Sequence, residues 1–243
     1  MQNIKIIQKL KNIIPNHIIP KFKNEIDLLI WKKKQEKIFS KYIIKNNKKN
    51  KIQNIIKNSG IKELYKKCSF QNYQIEHKGH EQVLLLSKNY IKKFNQHPSN
   101  FIFLGKPGTG KNHLACAISN HLIENEKKVL LITISDLMLK IKSQFNSIDK
   151  KYNVEKFIQY LTTIDLLILD GIGIQKHSRY ENLIINQIIE TRSSSKKSTG
   201  MLSNLNFFEI KKLLGERIID RMKSGNSLWL NFNWKSFRKK INY

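Results

Sequence analysis

The sequence predicts an α/β fold: a central five-stranded parallel sheet, preceded by a small helical N-terminal domain. Three observations predict it. Apolar strand-like runs at 101–104, 128–134, 165–170, 199–203 and 227–232 alternate with helical segments at 111–125, 136–146, 153–162, 178–194 and 206–223. Short apolar runs separated by helices imply βαβ units, with helices on both faces of a buried sheet. The first run passes directly into a glycine-rich turn, Gly105-Lys106-Pro107-Gly108-Thr109-Gly110-Lys111-Asn112. Residues 1–60 form a distinct compositional unit, with fifteen lysines, no arginine and three acids.

In that N-terminal unit Ile4, Ile7, Leu10 and Ile14 recur at helical spacing. Pro15 and Pro20 bracket a break, because proline removes a donor and restricts the residue before it. A second helix starts near Asn24, carries Leu28, Leu29 and Trp31, and runs on into the lysine-rich 32–51 stretch. Ser59-Gly60 reads as a stop and linker. Leu10, Leu28, Leu29 and Trp31 fit either a mini-core between short helices or a docking face for a partner protein, where Trp is a favoured anchor. Residues 61–98 are a linker and lead-in, in which Phe70 and Tyr73 precede a helix at about 80–95, and 99–243 form the nucleotide-binding domain.

The chain has 243 residues, with 45 Lys+Arg against 18 Asp+Glu, a formal net charge of +27. That balance points to a polyanion partner. The abundance of Lys, Ile and Asn, all encoded by A/T-rich codons, accounts for part of it. Two cysteines, Cys68 and Cys116, are too few for a disulfide framework and fit a reducing cytoplasm. Cys68, His77 and His80 lie at irregular spacing and make a poor zinc signature. No secretion signal is expected in the first 25 residues, and no apolar run approaches the roughly 18 residues of a membrane span. A membrane partner is therefore not expected.

The turn at 105–112 carries the chemistry. Glycines let backbone N–H groups crowd around phosphate oxygens, and the N-terminus of the following helix adds partial positive charge. Lys111 is placed to reach the β- and γ-phosphates of a nucleoside triphosphate. The usual Ser or Thr hydroxyl for Mg²⁺ is replaced by Asn112, whose amide oxygen can also ligate a hard cation. The third strand ends in Asp170, where a carboxylate can hold Mg²⁺ opposite the loop. The next residue is Gly171, which cannot act as a general base. Glu181 and Asp165 are the available substitutes. Asn204, at the tip of the fourth strand, either touches the γ-phosphate or the attacking water, or caps the helix near Phe207. Arg217 and Arg221 share a helix face and suit phosphate, or pair with Glu216 or Asp220. Arg238 either reaches nucleotide or is a tail charge. Lys176, Ser178, Arg179 and Tyr180 can hold single-stranded DNA by charge and stacking, or form solvated surface.

Together these residues resemble the bacterial replicative helicase loaders, AAA+ ATPases of the DnaC/IstB-like family. The segments that carry the resemblance are Cys68–Tyr73, Phe101–His113, Ile184–Ile188, Arg192–Lys196, Leu213–Arg217 and Asn226–Trp229, and it extends to the N-terminal unit with Trp31. The ending Gly110-Lys111-Asn112-His113 also matches the family. The resemblance implies an AAA+ domain that binds ATP, Mg²⁺ and single-stranded DNA, and N-terminal helices that grip the replicative helicase. It implies an open spiral in which Arg221 of one subunit meets the ATP of the next, with Asn204 as sensor one and Arg238 as sensor two. The family carries Glu after the strand-end Asp, so Gly171 departs from the pattern and implies weak hydrolysis. A transposition helper ATPase and a non-hydrolysing ATP-gated DNA-binding adaptor are the alternative readings.

Overall fold

The computed structural model describes residues 25–94, 96, 99–145, 150–173 and 179–237. Leu10, Lys176, Ser178 and Arg238 lie outside the described residues. The chain divides into two units, residues 1–50 and 51–243. Helix α1 (Glu25–Asn58) contains Leu28, Leu29 and Trp31 and runs on past the lysine-rich 32–51 stretch. Its last turns carry Ile52, Ile55 and Ile56 onto the core of the second unit, so that unit begins before Ser59. Within the first unit Leu28 and Trp31 are half-buried and Leu29 is exposed.

In the second unit α2 (Lys78–Lys93) is followed by strands β1 (Phe101–Gly105), β2 (Val129–Thr133), β3 (Leu166–Ile172), β4 (Ser198–Ser203) and β5 (Leu228–Phe232). Helices α3 (Lys111–Glu124), α4 (Ile134–Phe145), α5 (Lys150–Thr163), α6 (Arg179–Ser194), α7 (Phe207–Leu214) and α8 (Glu216–Lys223) join them. All strand pairs are parallel, in the order β2-β3-β4-β1-β5. Side chains alternate across each strand. Phe101 and Phe103 enter one apolar layer with Leu114, Ala115 and Ile118 of α3, while Ile102 and Leu104 enter the other with Ile185 and Ile189 of α6. The five expected strands are thus present as a sheet buried on both faces.

The segment expected as one helix at 206–223 is two. Asn206 caps α7 through a reciprocal capping box with Glu209, and Gly215, with φ 81°, breaks the chain before α8. Left-handed φ is open to glycine without a Cβ penalty, so a helical pattern on both sides of Gly215 does not make one helix.

Arg192, at the end of α6, is fully buried. Its guanidinium and Nε donate to the carbonyls of Leu161, Ile164 and Ser198 and to Thr199 Oγ1. It thereby ties the end of α5 to the start of β4. Burial pushes this guanidinium down to about 9, against the raising effect of Asp165.

Candidate functional site

The strand order creates the site. Because β4 lies between β1 and β3, the C-terminal tips of three adjacent strands share one edge, and crossover helices leave a crevice outside them. The turn 106–110 leaves β1, Asp170 ends the apolar part of β3, and Asn204 follows β4. They line one cleft of about 550 Å³.

Lys111 is only 6% exposed, a costly position for an ammonium unless its donors are satisfied. Its Nζ donates to Gly105 O (2.5 Å), Lys106 O (2.9 Å) and Asn204 Oδ1 (3.0 Å). Asn204 is thus joined to the loop lysine, and Asn206 takes the helix-capping role. Thr109 Oγ1 donates to Lys106 O at 2.8 Å, which closes the loop on itself. Asn112 Nδ2 donates to Asp170 Oδ2 at 3.0 Å. Burial raises the Asp170 pKa, while the bonds from Asn112 and the Gly171 N–H and the charge of Lys111 act the other way. A half-buried carboxylate beside an amide at the mouth of a glycine-rich turn suits a hard, oxygen-seeking cation.

Among the described residues lining the cleft, Asp170 is the single carboxylate. Gly171 follows it with φ 82°, at a register shift between β3 and β4. Asp165 sits at the other end of β3, where its Oδ2 accepts from Lys128 N and its Oδ1 pairs with Lys197 at 3.1 Å. Burial alone would raise its pKa, but those two partners hold it below the usual range. It therefore cannot serve as a base at the cleft. Glu181, in the first turn of α6, is not among the lining residues.

The far wall comes from the lead-in, which supplies Tyr65, Asn72, Tyr73 and Gln74. Helix α3 clamps it. Asn120 Nδ2 donates to the carbonyls of Tyr65, Lys66 and Cys68. His113 Nε2 lies 3.1 Å from Ser69 O and 3.0 Å from Asn72 Oδ1, two acceptors, so that nitrogen carries the proton. Burial lowers the His113 pKa, partly offset by the Ser69 bond. Sequence reasoning assigned no role to these wall residues or to Phe237, which also lines the cleft. They follow no period, and only the family-like run Cys68–Tyr73 marked the region.

Arg217 and Arg221 are not among the residues lining the cleft of their own chain. Each places Nη2 2.6 Å from Glu190 Oε1, so their partner is on α6 rather than Glu216 or Asp220. Glu216 pairs with Lys211 instead. Asn100 Nδ2 donates to Arg221 O at 3.1 Å, which anchors α8 at the N-terminal end of β1. The glycine-rich turn leaves the opposite end of that strand, roughly 16 Å away at strand rise. Arg179 is the first described residue of α6, and Tyr180 beside it is 43% exposed. Cys68 is buried in the core and His80 Nδ1 accepts from Glu76 N. The described residues contain no cluster of three metal-ligating side chains, so the zinc possibility has no support there.

The family model described as "IstB-like ATP binding protein" matches residues 37–242. The chain is 55% identical over 239 residues to the "Replicative helicase loader DnaC" of Buchnera aphidicola subsp. Baizongia pistaciae (strain Bp), covering 98% of this chain and 97% of that one. It is 45% identical over 242 residues to the protein of the same description in Escherichia coli (strain K12), covering 99% and 98%. Among solved structures, "Crystal structure of the DnaC helicase loader" matches the fold with TM-score 0.61 and 22% identity, over 72% of this chain and all of that one. "Replication initiator DnaA bound to AMPPCP and single-stranded DNA" matches with TM-score 0.57 and 19% identity, over 68% of this chain and 50% of that one. Among the described residues no helix is long and apolar enough to cross a membrane. With a family model spanning most of its length and relatives about half identical end to end, the chain belongs to the IstB-like ATP-binding family, among the DnaC replicative helicase loaders.

Proposed function

We propose that this chain loads the replicative helicase onto single-stranded DNA in an ATP-dependent manner, in the cytoplasm. The observation that carries the nucleotide dependence is the convergence of Lys111, Asn112, Asp170 and Asn204 on one cleft. Lys111 binds the β- and γ-phosphates, exchanging its carbonyl partners for phosphate oxygens. Asn204, already bonded to it, is placed to sense the γ-phosphate. Asp170 and Asn112 hold Mg²⁺, which neutralises phosphate charge when bound.

Helix α1 supplies the helicase contact. Leu28 and Trp31 are half-buried there, while Ile26, Leu29, Ile30, Ile38 and Phe39 are exposed. Exposed apolar side chains along one helix are typical of partner surfaces. Tyr180 and the basic stretch before it hold single-stranded DNA by stacking and charge. Arg221 sits at the strand end opposite the loop, so it serves the ATP of a neighbouring copy in a spiral. Hydrolysis is weak, because the described residues lining the cleft include no carboxylate beside Asp170.

Co-elution with a purified replicative helicase, with and without ATP, tests the whole reading. Stable binding is expected, and failure of the two proteins to co-elute under either condition would defeat it. Lys111→Ala is expected to weaken ATP binding by about 10- to 100-fold, the worth of one or two charge-assisted hydrogen bonds. Titration calorimetry reads this directly. Arg221→Ala is expected to leave the ATP Kd of the isolated chain within about twofold while abolishing ATP-dependent self-association in sedimentation. A Kd loss as large as that of Lys111→Ala would instead assign Arg221 to its own subunit's nucleotide.

A further inference from the structure

The segment after β5 is fastened to the glycine-rich loop by two hydrogen bonds. Trp234 Nε1 donates to Thr109 O at 2.9 Å, and Phe237 N donates to Gly108 O at 2.9 Å. Two successive carbonyls of the loop are thus held by one short stretch of chain more than a hundred residues downstream. The stretch is itself braced. The Trp234 ring lies 5.1 Å from Phe232, 5.0 Å from His77 and 4.5 Å from His80, and His80 lies 5.0 Å from Phe237.

A trans peptide is planar, and its C=O and the N–H of the next residue point in opposite directions. Holding the Gly108 carbonyl towards residue 237 turns the Thr109 N–H away from that segment. Holding the Thr109 carbonyl towards Trp234 does the same for the Gly110 N–H. These are the amides that a phosphate needs facing it in a glycine-rich loop. Left alone, such a loop samples many orientations, and ordering it on binding weakens affinity.

We propose that Trp234 is a positioning residue for nucleotide binding: with the residue 237 N–H, it pre-orients the loop amides for the phosphate chain. Nothing in the phosphate-loop motif specifies this contact. The proposal rests on the nucleotide-binding reading of the loop and not on the helicase partner.

The test replaces the donor and keeps a ring. Trp234→Phe is expected to raise the Kd for ADP and for ATP by a similar factor, about 5- to 10-fold, since the β-phosphate is common to both. The ligand-free Tm is expected to fall by no more than about 2 °C. Unchanged Kd values in a folded variant overturn the proposal. A second measurement needs no variant: ADP added to the wild-type chain should shift the Trp234 indole N–H resonance and leave that of Trp31 in place. A Trp234 resonance indifferent to saturating ADP also overturns it. Failure of the wild-type chain to bind ADP would instead defeat the nucleotide-binding reading itself.

Discussion

Gly171→Glu is expected to raise ATP turnover by about 10²–10⁴-fold, the usual worth of a positioned general base. Gly171 lines the cleft directly after Asp170, and the lining residues among those described offer no second carboxylate. Asp165 is committed to Lys128 N and Lys197 at the far end of β3. The substitution also has a backbone cost. At φ 82° a side chain other than glycine is strained by about 1–2 kcal/mol. The variant should therefore melt a few degrees lower while turning over faster. Gly171→Gln separates the two effects, since it carries the same strain without a base. Steady-state turnover with Mg²⁺, helicase and single-stranded DNA reads the difference. Equal rates for the wild type and Gly171→Glu would show that another group already supplies the base.

Arg192→Met is expected to destabilise the fold by about 3–5 kcal/mol, the range for breaking a buried charged network. Methionine keeps much of the volume but donates nothing. The carbonyls of Leu161, Ile164 and Ser198 would stay buried without that donor, as would Thr199 Oγ1. Each buried acceptor left unsatisfied costs about 1–3 kcal/mol before relaxation. The total is a large fraction of the 5–15 kcal/mol that holds a typical domain together. Thermal unfolding should show a Tm lower by about 10 °C. A shift under about 2 °C would mean that water or a rearranged β4 satisfies those carbonyls. Arg192→Lys should fall between, since one ammonium keeps the charge but lacks the planar fork.

Much of the fold was legible in the sequence because its signals are local. The strand Phe101–Gly105 was expected from four apolar residues running into a glycine turn, and β3 from an apolar run ending in Asp170. The misread helix at 206–223 has an equally local cause: Gly215 supports either a weak helix position or a break, and only its φ of 81° decides. The glycine-rich loop and Asp170 were legible because each directly follows an apolar strand run in the sequence. The wall residues Tyr65, Asn72, Tyr73 and Gln74 were not, since loops that line a cleft follow no period.

By itself, the sequence determined the alternation of strands and helices, the glycine-rich turn after the first strand, the strand-end aspartate and the glycine that follows it. Each depends on residue types close together in the chain. Tertiary structure alone decided which distant residues meet. The order β2-β3-β4-β1-β5 brings Asn204 to Lys111, and sets Arg221 at the opposite end of β1 from the loop. Packing gave both arginines the same carboxylate, Glu190, and joined the Trp234 N–H to the Thr109 carbonyl. Those contacts join groups 27 to 125 residues apart, and a single sequence carries no spacing rule at that range.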